Sequence, residues 1–370
     1  CFIIRNILKL LNKEKLVIPA VLLYGLSIGA ISTVIYARMY MMLAFFTLAY
    51  FYLTLKIYKL DFKMTRQTKI LLGATTILGF LSQYYFCIFA LGCFIVMIAL
   101  MIKEKKWHEL KSYIVTHIIS ALIGILVYPI CIYQIFFSYR GVGTAGANGA
   151  YFEGLVKFIE LLFTAWYIYK FIKSKEKGSL LLLIIPTLLS IIVIAKISPY
   201  KELRYLYGIL PVLSILIVLG LHSFIGTVIK NKKVGIAILS VIIAMVSIYG
   251  LATKEPEHLY KGYDNYLKIA EENKEKPFVY IGTGVFNHIQ SMPEFMTYKE
   301  SLILQDTQLE YLKDNEELLN TNEFILSIKK YIGNREGILN QVLEYTGYKS
   351  YNVLYDDQGE TDCIIFKFNK

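Results

Sequence analysis

The sequence predicts a polytopic α-helical membrane protein of about nine spans, followed by a small extracytoplasmic α/β domain at its C-terminal end. Three observations carry that expectation. The 370 residues are 56% hydrophobic, with 30 tyrosines and 22 phenylalanines, where soluble domains stay near or below roughly half apolar residues. Several apolar runs pass the roughly 18 residues that a helix needs to cross a bilayer. The charge is also divided: residues 1–252 carry 26 Lys and Arg against 8 Asp and Glu, whereas residues 253–370 carry 13 against 20. These two stretches are the expected domains.

The apolar region begins with Leu16 to Leu55, which holds one charge, Arg38. As a single helix it would run about 60 Å, roughly twice the hydrocarbon thickness of a bilayer, so it must fold back. Tyr36-Ala37-Arg38-Met39-Tyr40 is the polar place for the reversal. Lys13 and Lys15 precede this hairpin and Lys56, Lys59 and Lys63 follow it. Basic clusters of that kind stay cytoplasmic, so Arg38 faces outward. Runs at 16–37, 39–56, 70–86, 87–102, 113–137, 156–172, 179–195, 206–229 and 234–252 give the nine spans. Ser82-Gln83-Tyr84-Tyr85 is the only polar break between the third and fourth.

With this alternation the cytoplasmic pieces hold 20 Lys and Arg. The outward pieces hold six: Arg38, Arg140, Lys157, Lys196, Lys201 and Arg204. The net charge of +11 is therefore a property of membrane loops and gives no reason to expect nucleic acid as a partner. Cys1 stands where a methionine would begin a chain, and Phe2–Leu11 reads as the tail of an earlier helix, so further residues are expected before it. Five scattered cysteines form neither a disulfide framework nor a zinc-ligand spacing, and no metal site is predicted.

After Thr253 strand-like and helical runs alternate. Phe278–Ile281, Ser301–Leu304 and Glu323–Ile328 read as strands, separated by helical Phe286–Tyr298 and Gln308–Leu319. Helical Arg335–Tyr345 and the strands Tyr351–Tyr355 and Cys363–Phe368 follow, the last two joined across Asp356-Asp357-Gln358-Gly359. The alternation predicts a largely parallel sheet, and about 115 residues suffice to bury a core.

Arginines at the outer interface are the candidate binding groups. Arg38 and Arg204 each stand beside tyrosine, as does Arg140, which opens a Gly-rich loop, Gly141–Ala150. A guanidinium near the apolar core suits the phosphate of a lipid whose tail lies in the membrane. Each of them also reads as a helix-end anchor that snorkels to ordinary headgroups. Outward acids are few, Glu153, Glu160 and Glu202. Glu202 is the candidate to take a proton from an acceptor, or else it pairs with Lys201 or Arg204. His117 is placed near the cytoplasmic end of its span, as a packing or interfacial residue. Gly282-Thr283-Gly284 reads as a tight strand-to-helix turn.

Ser32-Thr33-Val34-Ile35-Tyr36-Ala37-Arg38-Met39-Tyr40, with the aromatic helix after it, resembles a segment of the integral-membrane glycosyltransferases of the C superfamily, in the branch of protein O-mannosyltransferases and lipid A aminoarabinose transferases. Leu81-Ser82-Gln83-Tyr84-Tyr85-Phe86 is similar to that group's interfacial Thr-His-Tyr segment, and Arg204-Tyr205-Leu206 with Pro211 to its late Arg-Tyr helix. The likeness covers residues 16 to 252. It departs at Tyr36, where the family is often acidic, and at Gln83, where it has histidine. The family's catalytic carboxylates fall in a first outward loop that would precede Cys1.

The resemblance implies transfer of a sugar from a polyprenyl-phosphate donor to an envelope lipid, polymer or protein, on the outer face of the cell membrane; no cofactor beyond that donor substrate is predicted, and a divalent-metal requirement is left open. It implies donor-phosphate contacts from Arg38, Arg204 or Arg140 and a substrate groove lined by Tyr40, Gln83, Tyr84 and Tyr205. Two rival expectations come from other classes. One is a transporter or flippase for lipid-linked saccharides, which calls for polar groups at mid-membrane, and the other is a non-catalytic envelope-assembly protein.

Overall fold

The computed structural model describes residues 1–35, 39–136, 177–197, 203–253, 263–282, 297–329, 332–356 and 363–370. The chain forms two compact units, Cys1–Glu257 and His258–Lys370.

The first unit is helical: α1 (Phe2–Leu10), α2 (Val17–Gly25), α3 (Ile28–Ile35), α4 (Tyr40–Lys59), α5 (Arg66–Ser82), α6 (Tyr85–Lys103), α7 (Trp107–Val127), α8 (Ile130–Phe136), α9 (Lys177–Ile197), α10 (Leu210–Val228) and α11 (Lys232–Thr253). Six helices, α4, α6, α7, α9, α10 and α11, are long and apolar enough to cross a membrane, and α2 with α3 makes a seventh if the bent pair counts as one. That is the pattern of a multi-pass membrane protein. Helix α5, with 17 residues, extends about 25 Å. The expected span 156–172 lies outside the described residues.

Three helix boundaries differ from the sequence expectation, each for a local reason. The run 16–37 is two helices bent by 62°. At the bend the Ser27 hydroxyl donates to the Tyr24 carbonyl and accepts from the Ala30 amide, so it closes one helix and caps the next. The run 113–137 is α7 followed by α8, broken at Tyr128, because a residue before proline leaves the helical region, here at φ −137°. Helix α7 also begins six residues early, since Trp107-His108-Glu109-Leu110-Lys111 form its first turns. His117 consequently sits in the middle of α7, which corrects its expected place near the end.

Helix α4 runs through the centre of the unit. Its Tyr50, Phe51, Leu55 and Ile57 are fully buried, and it packs against α1, α5, α6, α9 and α10. Gly92 of α6 lets α9 approach closely, because a Cβ there would sit 2.7 Å from Pro186 Cα.

The short connections carrying the basic residues share one end. Lys106, before α7, bonds Asp61, after α4, at 2.5 Å, and that bond raises the Lys106 ammonium pKa above its ordinary value. The start of α9 joins them, where a Cβ on Gly178 would overlap the Tyr58 hydroxyl.

The second unit has α12 (Tyr263–Asn273), β1 (Phe278–Gly282), β2 (Ser301–Gln305), a 3-10 stretch Leu309–Asn315 running into α13 (Glu316–Leu319), β3 (Glu323–Lys329), α14 (Arg335–Thr346), β4 (Ser350–Tyr355) and β5 (Cys363–Asn369). The sheet order is β2-β1-β3-β5-β4. Strand β1 is parallel to β2 and β3, while β5 is antiparallel to β3 and β4. The sheet is therefore mixed rather than largely parallel.

Side chains alternate between its two faces. Val279, Ile281, Leu326 and Phe366 pack with Leu312, Leu339 and Val342. Phe278, Tyr280, Ile325 and Ile365 pack with Ala270 of α12. Most of the expected helix 286–298 lies outside the described residues.

Candidate functional site

At the end of the helical unit opposite the Lys106–Asp61 bond, three segments far apart in sequence meet. Tyr40 begins α4, Tyr85 begins α6, and the 3-10 turn Leu203–Leu206 leads into α10. The Tyr40 ring, 3% exposed, stands edge-on to Tyr207 at 6.2 Å. Tyr85 meets Tyr205 edge-on at 5.2 Å. Gly208 seals the junction, since a Cβ there would lie 2.6 Å from the Leu43 side chain. Aromatic edges of this kind hold segments together.

Between α5 and α6 the turn is Gln83-Tyr84. Gln83 is extended, at φ −169° and ψ 142°, and its amide donates to the Gly79 carbonyl. Its Oε1 is buried and has no hydrogen-bond partner among the described residues. An orphaned acceptor is costly to bury. Tyr84 lies against Phe80, ring centroids 5.6 Å apart.

Next to this turn is a cavity of about 360 Å³, with Phe80 and Phe86 at one end and His117 in its wall. It opens on the apolar outer surface, where Leu91 is 52% exposed and Ile132 46%. The wall carries one polar pair in the middle of the helices. Tyr50 Oη lies 2.8 Å from His117 Nε2, and His117 Nδ1 lies 2.9 Å from the Tyr113 carbonyl. A carbonyl only accepts, so in the neutral ring Nδ1 carries the proton and Nε2 accepts from Tyr50.

No protein-family model matches the chain, and no curated protein matches its sequence. The site is thus read from its own geometry.

Of the sequence-predicted residues, Tyr40, Gln83, Tyr84 and Tyr205 lie at this end of the unit, and Arg204 occupies the same 3-10 turn as Tyr205. Arg38, Arg140 and Glu202 lie outside the described residues. The sequence reading passed over Tyr85 and Tyr207, the rings that join the segments. The repeated Tyr-x-Tyr of Tyr205 and Tyr207 beside a second tyrosine pair was the signal for them. It also passed over the Tyr50–His117 pair, which only the corrected start of α7 places at mid-helix. Among the described residues no group of three His, Cys, Asp or Glu side chains is placed to hold a metal ion.

Proposed function

We propose that this is a multi-pass membrane glycosyltransferase that moves a sugar from a polyprenyl-phosphate donor to an envelope lipid, polymer or protein. The basic connections face the cytoplasm in this reading. The tyrosine-rich end and the chain that leaves α11 after Thr253 then face outward. The observation that carries the proposal is the meeting of Tyr40 with Tyr207 and of Tyr85 with Tyr205, next to the Gln83-Tyr84 turn and an apolar cavity, with Arg204 in the same 3-10 turn as Tyr205. Rings and an orphaned amide oxygen suit a sugar, a guanidinium suits the phosphate, and the cavity suits an isoprenoid tail.

In the transfer, a hydroxyl or amine of the acceptor attacks the anomeric carbon. The bond from that carbon to the phosphate oxygen breaks, polyprenyl phosphate leaves, and the acceptor's proton passes to a carboxylate. Glu202 is the candidate within this chain.

Arg204→Ala in the whole protein, assayed in proteoliposomes with a polyprenyl-phosphate sugar, should lower transfer by about 10- to 100-fold, the worth of one charged hydrogen bond. Unchanged donor affinity and turnover would remove Arg204 from the site. Sidedness has its own test. A membrane-impermeant amine reagent should modify the C-terminal lysines in intact cells, and labelling only after lysis would overturn the orientation.

A lipid-linked saccharide transporter is favoured by one feature, the Tyr50–His117 pair in the cavity wall at mid-span. Transport of the donor without sugar transfer would select it.

A further inference from the structure

A second and larger hollow lies on the outer surface of the helical unit, between α5 and α7. It encloses about 770 Å³. Its floor is set by Gly73, where a Cβ would lie 3.0 Å from Ser120 Oγ. Lys69, His108 and Lys111 line it at the end that holds the basic connections, and Ile77, Ile119 and Ile123 line it further along. Thr116 and Ser120 also face it, but both hydroxyls donate to carbonyls of their own helix, so the wall offers a ligand hydrocarbon.

The basic end carries Lys69 and Lys111 against one acid in the first turn of α7, Glu109. Two other cations of the unit are paired with carboxylates, Lys106 with Asp61 and Arg5 with Glu14. Lys69 and Lys111 form no ion pair among the described residues. Both stand in the first turns of their helices, where the helix dipole adds positive potential instead of relieving it. A cationic head above an apolar trough calls for a ligand with one anionic end and a long apolar body.

Length identifies the source of that ligand. From Lys111 to Ile123 along α7 is about 18 Å, close to the roughly 15 Å of half a bilayer's hydrocarbon. A free phosphate would leave the trough empty, and a soluble anion has no tail to fill it.

We propose that the α5–α7 groove binds one anionic phospholipid from the leaflet on the basic side. Its phosphate rests on Lys69, Lys111 and His108, and one acyl chain runs past Ala74 and Ile77 toward Ile123. The site is separate from the tyrosine-rich end and does not depend on the glycosyltransferase reading.

The test is native mass spectrometry of the purified whole protein titrated with phosphatidylglycerol, with phosphatidylcholine of the same chains as reference. Each lysine near a membrane surface contributes about fivefold in affinity, so Lys69→Gln with Lys111→Gln should weaken phosphatidylglycerol binding by about 25-fold and bring it to the phosphatidylcholine level. Ala74→Phe, which fills the trough and keeps every charge, should also lose the lipid. Lys63→Gln with Lys105→Gln, outside the groove, should retain it. Millimolar inorganic phosphate should not displace it. Retention by the Lys69/Lys111 variant within about twofold of wild type, retention by Ala74→Phe, or displacement by phosphate would each overturn the proposal.

Discussion

Gly79→Ala tests how the turn at Gln83-Tyr84 is held. Gly79 lies in the last turn of α5, and a Cβ there would stand 2.5–2.6 Å from three ring atoms of Phe86. Ordinary carbon contacts are about 3.5–4.0 Å, so the ring must move by about 1 Å. It has little room, being 1% exposed and set edge-on against Tyr50 at 5.5 Å, whose hydroxyl holds His117.

Overpacking of this severity costs about 3 kcal/mol, less the roughly 1 kcal/mol that alanine gains over glycine in a helix, for a net loss of about 2 kcal/mol. Phe86→Ala alone should cost about 3–5 kcal/mol. In the double variant the clash is gone and the helix gain remains, so it should be no less stable than Phe86→Ala. The coupling energy is then about −2 to −3 kcal/mol. Unfolding in detergent measures the cycle, with hydrogen exchange across α5 and α6 to locate the effect. Additivity within about 0.5 kcal/mol would refute the reasoning.

Three further outcomes follow from other contacts. Tyr50→Phe leaves His117 Nε2 buried without its donor and should cost about 1–3 kcal/mol, seen in the same detergent unfolding; an unchanged midpoint would separate the pair from stability. In the second unit Lys276 bonds Glu323 at 2.5 Å and Lys367 bonds it at 3.2 Å, and these two lysines, Lys276 first, hold the Glu323 pKa below its usual value. A lowered pKa gives stability that is present above about pH 4.3, the unfolded value. It is lost as pH falls through the folded pKa. Glu323→Gln should therefore reduce the exchange protection of β3 and β5 by about 1 kcal/mol at pH 7, with the difference shrinking as pH falls through the folded pKa in exchange-corrected profiles. A difference that persists or grows in acid would contradict this. Tyr348→Phe removes the hydroxyl shared between the Leu319 and Thr321 carbonyls at 2.9 and 2.8 Å and should cost about 1–3 kcal/mol by thermal unfolding, since the ring stays packed on Phe324.

Apolar runs were legible because a helix crossing hydrocarbon must satisfy its backbone internally and show lipid an unbroken apolar surface. The ends were less so, because a helix continues into water for reasons hydropathy does not record. Trp107 to Lys111 include His108, Glu109 and Lys111 and are yet helical, and reading them as a loop displaced His117 from the middle of α7 to its end. That displacement hid the Tyr50 pair. Ser27 likewise bends an apolar run through two hydrogen bonds that no hydropathy profile shows. In the second unit the strands were read in place, but their order was not.

The missing information lay in the patterns themselves. Cys363-Ile364-Ile365-Phe366 is continuously apolar and buried, as a strand flanked on both sides must be, while Ser350 to Tyr355 is largely exposed, as an edge requires. Since β4 and β5 are consecutive and antiparallel, the buried one takes the inner position beside β3, and the sheet must be mixed. The tyrosine-rich end has the same logic on a larger scale. Tyr40, Tyr85, Tyr205 and Tyr207 each stand where an apolar run begins or a turn enters one, and alternating helices bring every second such point to one side. Rings at those points can meet only if the number of crossings between them has the right parity, so the contacts of Tyr40 with Tyr207 and Tyr85 with Tyr205 test the alternation independently of charge. Together with the Lys106–Asp61 bond at the opposite end, they place the starts of α4 and α6 at one end of the helical unit and the ends of both at the other.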